Sequence, residues 1–445
     1  MIDRTPAPVD DRPHVVVVGA GFAGLACASE LGDTNIRVTV IDRRNYHLFV
    51  PLLYQVATAA LSPADIAEPI RRIVSRYPNV DVLLGEVTGI DATARHVLLA
   101  DDGYVPYDHL VLATGSTHSY FGHDEWEPLA PGLKTIEDAR QIRTRLLLAF
   151  EQAEMSPDPD EQKRLTTVVV VGGGPTGVEM AGAVAELAKW TLARDFRRIR
   201  PANAEIVLIE AGPRLLSTFP EPLSAYTEDA LRRLGVSVLT ETPVEAVTAE
   251  GVTAGGRFIP AGTVIWGAGV RASPAGRWLG VETDRAGRVR VGPDLGVPGF
   301  EGVYALGDTA LALDDDQRPL PGLAQVAKQQ GEHLGRQLAA AIPHGRPMEP
   351  FRFKDRGNMA TIGRNAAVAD FGRMRLKGFV AWVLWAIVHV WLLVGFEKRA
   401  RVTLQWLWRY LTFQRGARLI TGETKAPVSA SEANQAQRRE AGRAG

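Results

Sequence analysis

Two glycine loops of one design, 153 residues apart, limit what this chain can fold into. In HVVVVGAGFAG, the apolar run Val15–Val18 reads as a buried parallel strand. Gly19, Gly21 and Gly24 follow, and Leu25 to Leu31 continue as a helix. IRVTVID then supplies a second strand ending at Asp42, 18 residues past Gly24. Gly19 allows the tight turn, Gly21 lets a pyrophosphate approach the backbone, and Gly24 lets helix and strand pack closely. The helix N-terminus offers free N–H groups to the phosphates, and Asp42 can bond a ribose hydroxyl. The pattern recurs in TTVVVVGGGPTGVEMAGAVAEL, with a strand at Val168–Val171, then Gly172, Gly174 and Gly177, and a second strand ending at Glu210. Two complete sets imply two dinucleotides, and the chemically sensible pair is a flavin and a nicotinamide one. The expected class is α/β, with two Rossmann-like dinucleotide-binding domains.

Length and charge fit that reading. A chain of 445 residues has room for two to four domains. Its 50 Lys+Arg balance 51 Asp+Glu, which removes any simple argument for nucleic-acid binding. Cys27 is the single cysteine, so an intrachain disulfide, a CxxC pair and a cysteine-based zinc site are excluded; no metal site is expected. As a lone residue on the first helix, Cys27 reads as a small buried hydrophobe. The start, MIDRTPAPVDDRP, lacks the charge-then-apolar pattern of a signal peptide.

LVLATGS (Leu110–Ser116) and GVYALGDTA (Gly302–Ala310) resemble signatures of the two-dinucleotide flavoprotein disulfide reductase superfamily. The resemblance puts FAD on the first loop and NADH on the second. It carries Gly19, Ala20, Gly21, Phe22, Ala23, Gly24, Asp42 and Arg43 over as the FAD cradle. Val87, Ala113, Thr114 and Gly115 join them, with Gly307 and with Asp308 on the ribityl chain. Gly172, Gly174, Gly177, Glu210 and Gly269 fall to NADH. A carboxylate at 210 accepts from a 2′-hydroxyl and repels a 2′-phosphate, a bias that Arg214 can soften. The expected domains are a disordered lead-in (1–13), a split FAD domain (14–120 and 296–345), an inserted NADH domain (121–295), a carboxy-terminal anchoring region (346–423) and a disordered tail (424–445).

The electron acceptor is not a thiol, because only one cysteine exists. RPLPGLAQVAKQQGEHLG starts a helix near Leu323, close behind Gly307-Asp308, so its positive end faces the flavin ring. Gln325 and Gln329 share a helix face, and their amides suit a carbonyl being reduced to a hydroxyl; both are also consistent with an ordinary surface face. Here the chain closely resembles the type II NADH:quinone oxidoreductases of the actinobacterial kind. AQVAKQQG is similar to that family's quinone-site motif, which implies that Ala324, Gln325 and Gln329 face quinone and flavin. GGGPTGVE is similar to its second fingerprint, which implies a catalytic or proton-relay role for Glu179. VIWGAGVRASP resembles the family's NADH-side segment, with Gly267 where Ala is usual, and NYHLFVPLLYQVA resembles its flavin-covering segment, with Val50 where a polar residue is expected. LKTIEDARQIRTRLL resembles its inter-domain helix.

Residues 378–396 contain no Asp, Glu, Lys or Arg, and five of the nine Trp lie between 382 and 408. A buried core helix, a transmembrane hairpin and an in-plane anchor all compete. The polar side of a second helix, about 398–415, favours the anchor, as the resemblance also implies. His389, mid-run, reads as a satisfied buried histidine rather than a quinone ligand. From Phe371 to Glu423 there are nine Lys+Arg and two Asp+Glu, a net of 9 − 2 = +7, so the remainder carries −1 − 7 = −8. A basic, Trp-rich foot suits an anionic membrane surface. The expectation is a non-pumping NADH:quinone oxidoreductase with a membrane quinone (menaquinone or ubiquinone) as partner, held on the cytoplasmic face of the cell membrane, with a homodimer as one assembly. The rivals are a soluble ferredoxin- or rubredoxin-type reductase and a flavin-bearing redox sensor.

Overall fold

The structure, a computed structural model, describes residues 11–193, 195–393, 396–412 and 418–420. The lead-in before residue 11 and the tail expected at 424–445 lie outside the described residues.

Both apolar runs form the central strand of a parallel sheet. In the first sheet, His14–Val18 lies between Arg37–Asp42 and His109–Leu112. Val80–Leu84 and Val303–Ala305 close its two edges. In the second sheet, Val168–Val171 lies between Ile206–Ile209 and Thr263–Trp266, with Val236–Leu239 outermost. Val15, Val16, Val17, Val169 and Val170 are fully buried, as continuous β-branched strands covered on both faces must be. A two-stranded antiparallel link, Ser116–His118 with Val270–Ala272, joins the two units.

The boundary expected between residues 295 and 296 falls elsewhere in packing terms. Ala275, Leu279 and Val289 pack with Val16, Val18 and Leu112, in the core of the first unit. The chain therefore returns to that unit some twenty residues early, because the apolar face of the short helix Ala275–Leu279 needs that sheet to bury it.

Residues 346–423 are more than an anchor. Asn358–Gly363, Ala366–Asp370 and Arg375–Gly378 form an antiparallel sheet. It packs on the second fingerprint helix, Pro175–Glu186, sharing a core with Val178, Met180 and Ala181. The apolar run that follows is shorter than the 19 residues its composition suggested: helix Phe379–Leu392 has 14 residues and ends where Leu393 turns extended. At 1.5 Å per residue it reaches about 21 Å, less than a bilayer core. Among the described residues, no helix is long and apolar enough to cross a membrane. Ala381 and Trp385 point into the core, while Phe379, Val380, Ile387, Trp391 and Leu392 are exposed. The next helix, Phe396–Thr412, buries Val402 and exposes Leu404 and Leu407.

Candidate functional site

The two loops share one geometry. Gly19 and Gly172 adopt φ of +99° and +105°, which only glycine takes without strain. A Cβ on Gly24 would fall 1.8 Å from the Gly19 oxygen, and one on Gly177 would fall 1.8 Å from the Gly172 oxygen. The middle glycines, Gly21 and Gly174, have nothing within 4 Å of that position, which is the room a pyrophosphate needs.

The acids also correspond. Asp42 accepts from the N–H of Ala20 at 2.7 Å and from that of Arg44 at 2.8 Å. Glu210 accepts from the N–H of Gly173 at 2.5 Å and from that of Gly212 at 2.6 Å. Each carboxylate pins its own glycine loop. Arg214 is committed elsewhere: it donates to the carbonyls of Phe219 and Ser217, both at 2.7 Å. Gly267, the departure from the usual Ala, lies where a Cβ would be 3.0 Å from the Val171 oxygen and 3.3 Å from Gly177.

A cleft of about 2380 Å³ runs from the first loop toward the carboxy-terminal helices. It is lined by Gly19, Ala20, Gly21, Phe22, Ala23, Asp42, Arg43 and Val87, then by Ala113, Thr114, Gly115, Gly307 and Asp308. Glu179, Ala324, Gln325 and Gln329 border it as well. Gly24 lies beneath, in helix packing. Gly172, Gly174, Gly177, Glu210 and Gly269 stand apart from this cleft, around the second loop.

Sequence reasoning missed several groups here. Ser116 Oγ donates to Asp308 at 2.6 Å and accepts from Lys134 Nζ at 3.0 Å. Burial lowers the pKa of Lys134 and the Asp308 carboxylate opposes that shift. Gln330, rather than Gln329, is the buried glutamine: its Oε1 accepts from the Gly307 N–H at 2.7 Å. Thr309 Oγ1 accepts from the Gly115 N–H at 2.8 Å. The i+4 spacing after Val326 signals the inward position of Gln330, but no sequence pattern pairs it with Gly307.

Gln325 and Gln329 border the cleft, yet their amides are spent on the chain's own backbone. Gln329 donates to the Lys354 carbonyl at 2.9 Å and accepts from the Lys354 N–H at 3.0 Å. Gln325 donates to the Gly357 carbonyl at 3.1 Å and accepts from the Arg356 N–H at 3.2 Å. Two turns on, Gln337 accepts from the Glu349 N–H at 2.9 Å. A glutamine-rich face of helix Ala324–His344 thus holds the segment 349–357 as a ladder would hold a strand.

Glu179 sits between two spaces. It borders the large cleft and a second cavity of about 140 Å³, lined also by Tyr54, Glu186, Trp190, Trp382, Trp385 and Trp406. Burial pushes its carboxyl up to about 8, against a lowering pull from the Thr361 backbone N–H. At neutral pH it is therefore a protonated acid. Cys27 is wholly buried and its thiol is pushed up to about 12, so it is chemically inert.

Two fingerprint loops of one geometry are the mark of a two-dinucleotide oxidoreductase, and the profile of the pyridine nucleotide-disulphide oxidoreductases matches residues 13–331. The fold agrees with NDH2 from Plasmodium falciparum at a TM-score of 0.84, 22% identity, over 92% of this chain and 100% of that one. A ferredoxin reductase from Rhodopseudomonas palustris matches at 0.64 and 21% identity, over 80% of this chain and 82% of that one. The type II NADH:quinone oxidoreductase Ndh of Mycobacterium tuberculosis is 41% identical over 426 residues, 93% of this chain and 91% of that one. The demethylphylloquinone reductase NdbB of Synechocystis is 30% identical, over 90% of this chain and 97% of that one. This chain belongs to the type II NADH:quinone oxidoreductases, flavoenzymes that carry electrons from NADH through FAD to a quinone.

Proposed function

We propose that the first loop holds FAD, the second holds NADH, and Glu179 serves as the proton donor to a quinone that enters from a membrane surface. The open space at Gly21 and Gly174, with Asp42 and Glu210 beside it, fits two pyrophosphate-linked nucleotides. When bound, FAD accepts a hydride from NADH and passes on two electrons. The chain's own groups do the rest. Asp308, held by Ser116 and near Lys134, orients the ribityl chain. Glu210 accepts from a 2′-hydroxyl, and the Arg214 guanidinium is tied to its own loop rather than held out for a 2′-phosphate; NADH is the favoured nucleotide.

The observation that carries the quinone assignment is the position of Glu179 on the wall between the cleft and the Trp-lined cavity. Quinone reduction consumes two protons, and an acid that is protonated at neutral pH can supply one. Gln325 and Gln329 act here as positioning groups for the segment 349–357. The exposed apolar faces of the last two helices, with Arg399 over the Trp391 ring at 5.4 Å, suit the interface of a lipid bilayer on the cytoplasmic face of the cell membrane.

The test is NADH oxidation by membrane-extracted enzyme, with and without a short-chain quinone. Quinone should stimulate the rate and NADPH should replace NADH poorly. Absence of quinone stimulation would sink the reading. Glu179→Gln should slow reoxidation of the flavin by quinone more than its reduction by NADH.

A further inference from the structure

Trp385 and His389 stand one turn apart on helix Phe379–Leu392, with their rings stacked at 4.4 Å. His389 also meets the edge of Phe49 at 6.3 Å. The imidazole borders the large cleft, and the indole borders the small cavity. One helical turn therefore reaches both spaces that Glu179 separates.

The hydrogen bonding of this turn is incomplete in a specific way. His389 Nδ1 lies 2.8 Å from the Trp385 carbonyl, which can only accept. Nδ1 therefore carries the proton, and burial pushes the ring down to about 4, so it is neutral. Nε2 is left as a bare acceptor, and among the described residues it has no donor. The reading of His389 as a satisfied histidine therefore holds for one nitrogen only. Trp385 is the converse: it is 3% exposed, and its buried Nε1–H has no acceptor. Buried polar groups in native proteins are nearly always paired, so a buried donor without an acceptor, one turn from an unpaired imidazole nitrogen on a half-buried, cleft-lining residue, points to a ligand with complementary groups.

A quinone offers only acceptor oxygens, whereas a quinol also offers hydroxyl donors. We infer that this turn is a headgroup-binding element: the Trp385 indole N–H donates to a quinone oxygen, and His389 Nε2 accepts from the hydroxyl formed on reduction. The inference rests on the quinone entering beside the last two helices, as proposed above. Trp385 then contributes affinity for both redox forms. His389 contributes affinity for the quinol alone, and so sets how strongly the product inhibits.

The test uses purified holoenzyme with a short-chain quinone as substrate and its quinol as added inhibitor. His389→Leu should raise the quinol inhibition constant about tenfold, the value of one good hydrogen bond, with little change in KM for the quinone. His389→Gln, whose Oε1 can stand near the place of Nε2, should restore inhibition. A merely structural role predicts the reverse order, since Leu suits an apolar site better than Gln. Trp385→Phe keeps the ring stack, removes the donor, and should raise KM for the quinone several-fold. FAD content and anaerobic flavin reduction by NADH, which should match the wild type, show that each variant is folded. If quinone stimulates the wild type but quinol inhibits His389→Leu equally well, this inference alone is overturned. An unchanged KM in Trp385→Phe overturns the donor role. If quinone fails to stimulate the wild type, the underlying reading falls and takes this one with it.

Discussion

A Cβ on Gly182 would lie 1.7 Å from the carbonyl oxygen of Ile362, so the Glu179 helix and the carboxy-terminal sheet touch backbone to backbone. That approach sets the neighbouring Thr361 N–H against the Glu179 carboxyl. Gly182→Ala should push the strand Asn358–Gly363 off the helix and cost about 1–3 kcal/mol, as overpacking does. Thermal unfolding should show the loss, and quinone-dependent turnover should fall further than NADH-dependent flavin reduction. An unchanged melting temperature would mean that the contact yields without strain.

The pH dependence of Glu179 has a definite sign. Its carboxyl sits at about 8 in the folded protein, against an ordinary 4.5. Between those values the folded state holds a proton that the unfolded state has lost, so stability falls as pH rises through that window. Glu179→Gln removes the effect. The melting temperature of the variant relative to wild type should therefore climb from pH 4.5 to 8 and then level off. Wild-type quinone turnover should decline as pH rises past about 8, while the variant is slower, by about a hundredfold, and flat. Parallel melting curves across that range would place the ionisation elsewhere.

The glutamine ladder predicts a different pattern. Gln329→Leu removes both bonds to Lys354, at about 1 kcal/mol each. Amide hydrogen exchange should speed up at Lys354 and Arg356, while flavin reduction by NADH stays near wild type. A direct quinone ligand would instead raise KM for the quinone with exchange unchanged.

Both Rossmann-like units were legible in the sequence because their determinants are local. Gly19, Gly24 and Asp42 act within about two dozen residues, and Gly172 and Gly177 repeat the glycine spacing, with Glu210 33 residues past Gly177. The residues that complete the site depend on long-range approach. Ser116 meets Asp308 across 192 residues, and Gln330 reaches Gly307 only because two helices and a strand end converge. The amides of Gln325 and Gln329 had the right chemistry for a carbonyl, but the nearest carbonyls turned out to be those of Lys354 and Gly357. The apolar run 378–396 overstated its helix because composition does not show where Leu393 leaves helical geometry. The return of Ala275–Leu279 to the first unit was hidden for the same kind of reason, since five residues carry too little pattern to say which sheet they cover.

Nucleotide preference should follow Glu210. Both of its oxygens already hold loop N–H groups, so Glu210→Ala loosens the loop as well as removing the ribose acceptor. KM for NADH should rise about tenfold, and the NADPH-to-NADH ratio of kcat/KM should rise because the charge opposing a 2′-phosphate is gone. Arg214→Ala should leave that ratio unchanged, because its guanidinium is bound to Phe219, Ser217 and Ser224. A fall in NADPH use on losing Arg214 would contradict this.

Membrane attachment should depend on side chains that the folded body leaves uncovered. Trp391 is 72% exposed, Leu404 66% and Leu407 55%, while Trp385 and Val402 on the same two helices are buried. An isolated exposed apolar residue is unremarkable, but several clustered on one pair of helices mark an interaction surface. Each large apolar side chain removed from water is worth about 1.5–3 kcal/mol. A double Leu404→Ser, Leu407→Ser variant should therefore leave membranes in a flotation assay even at low salt, while wild type stays bound at high salt. Because these positions lie outside the core, the variant should keep its FAD and its turnover with a short-chain quinone in solution, and lose turnover only with a long-tailed quinone held in vesicles. Equal flotation of the two proteins would move the lipid contact to another face.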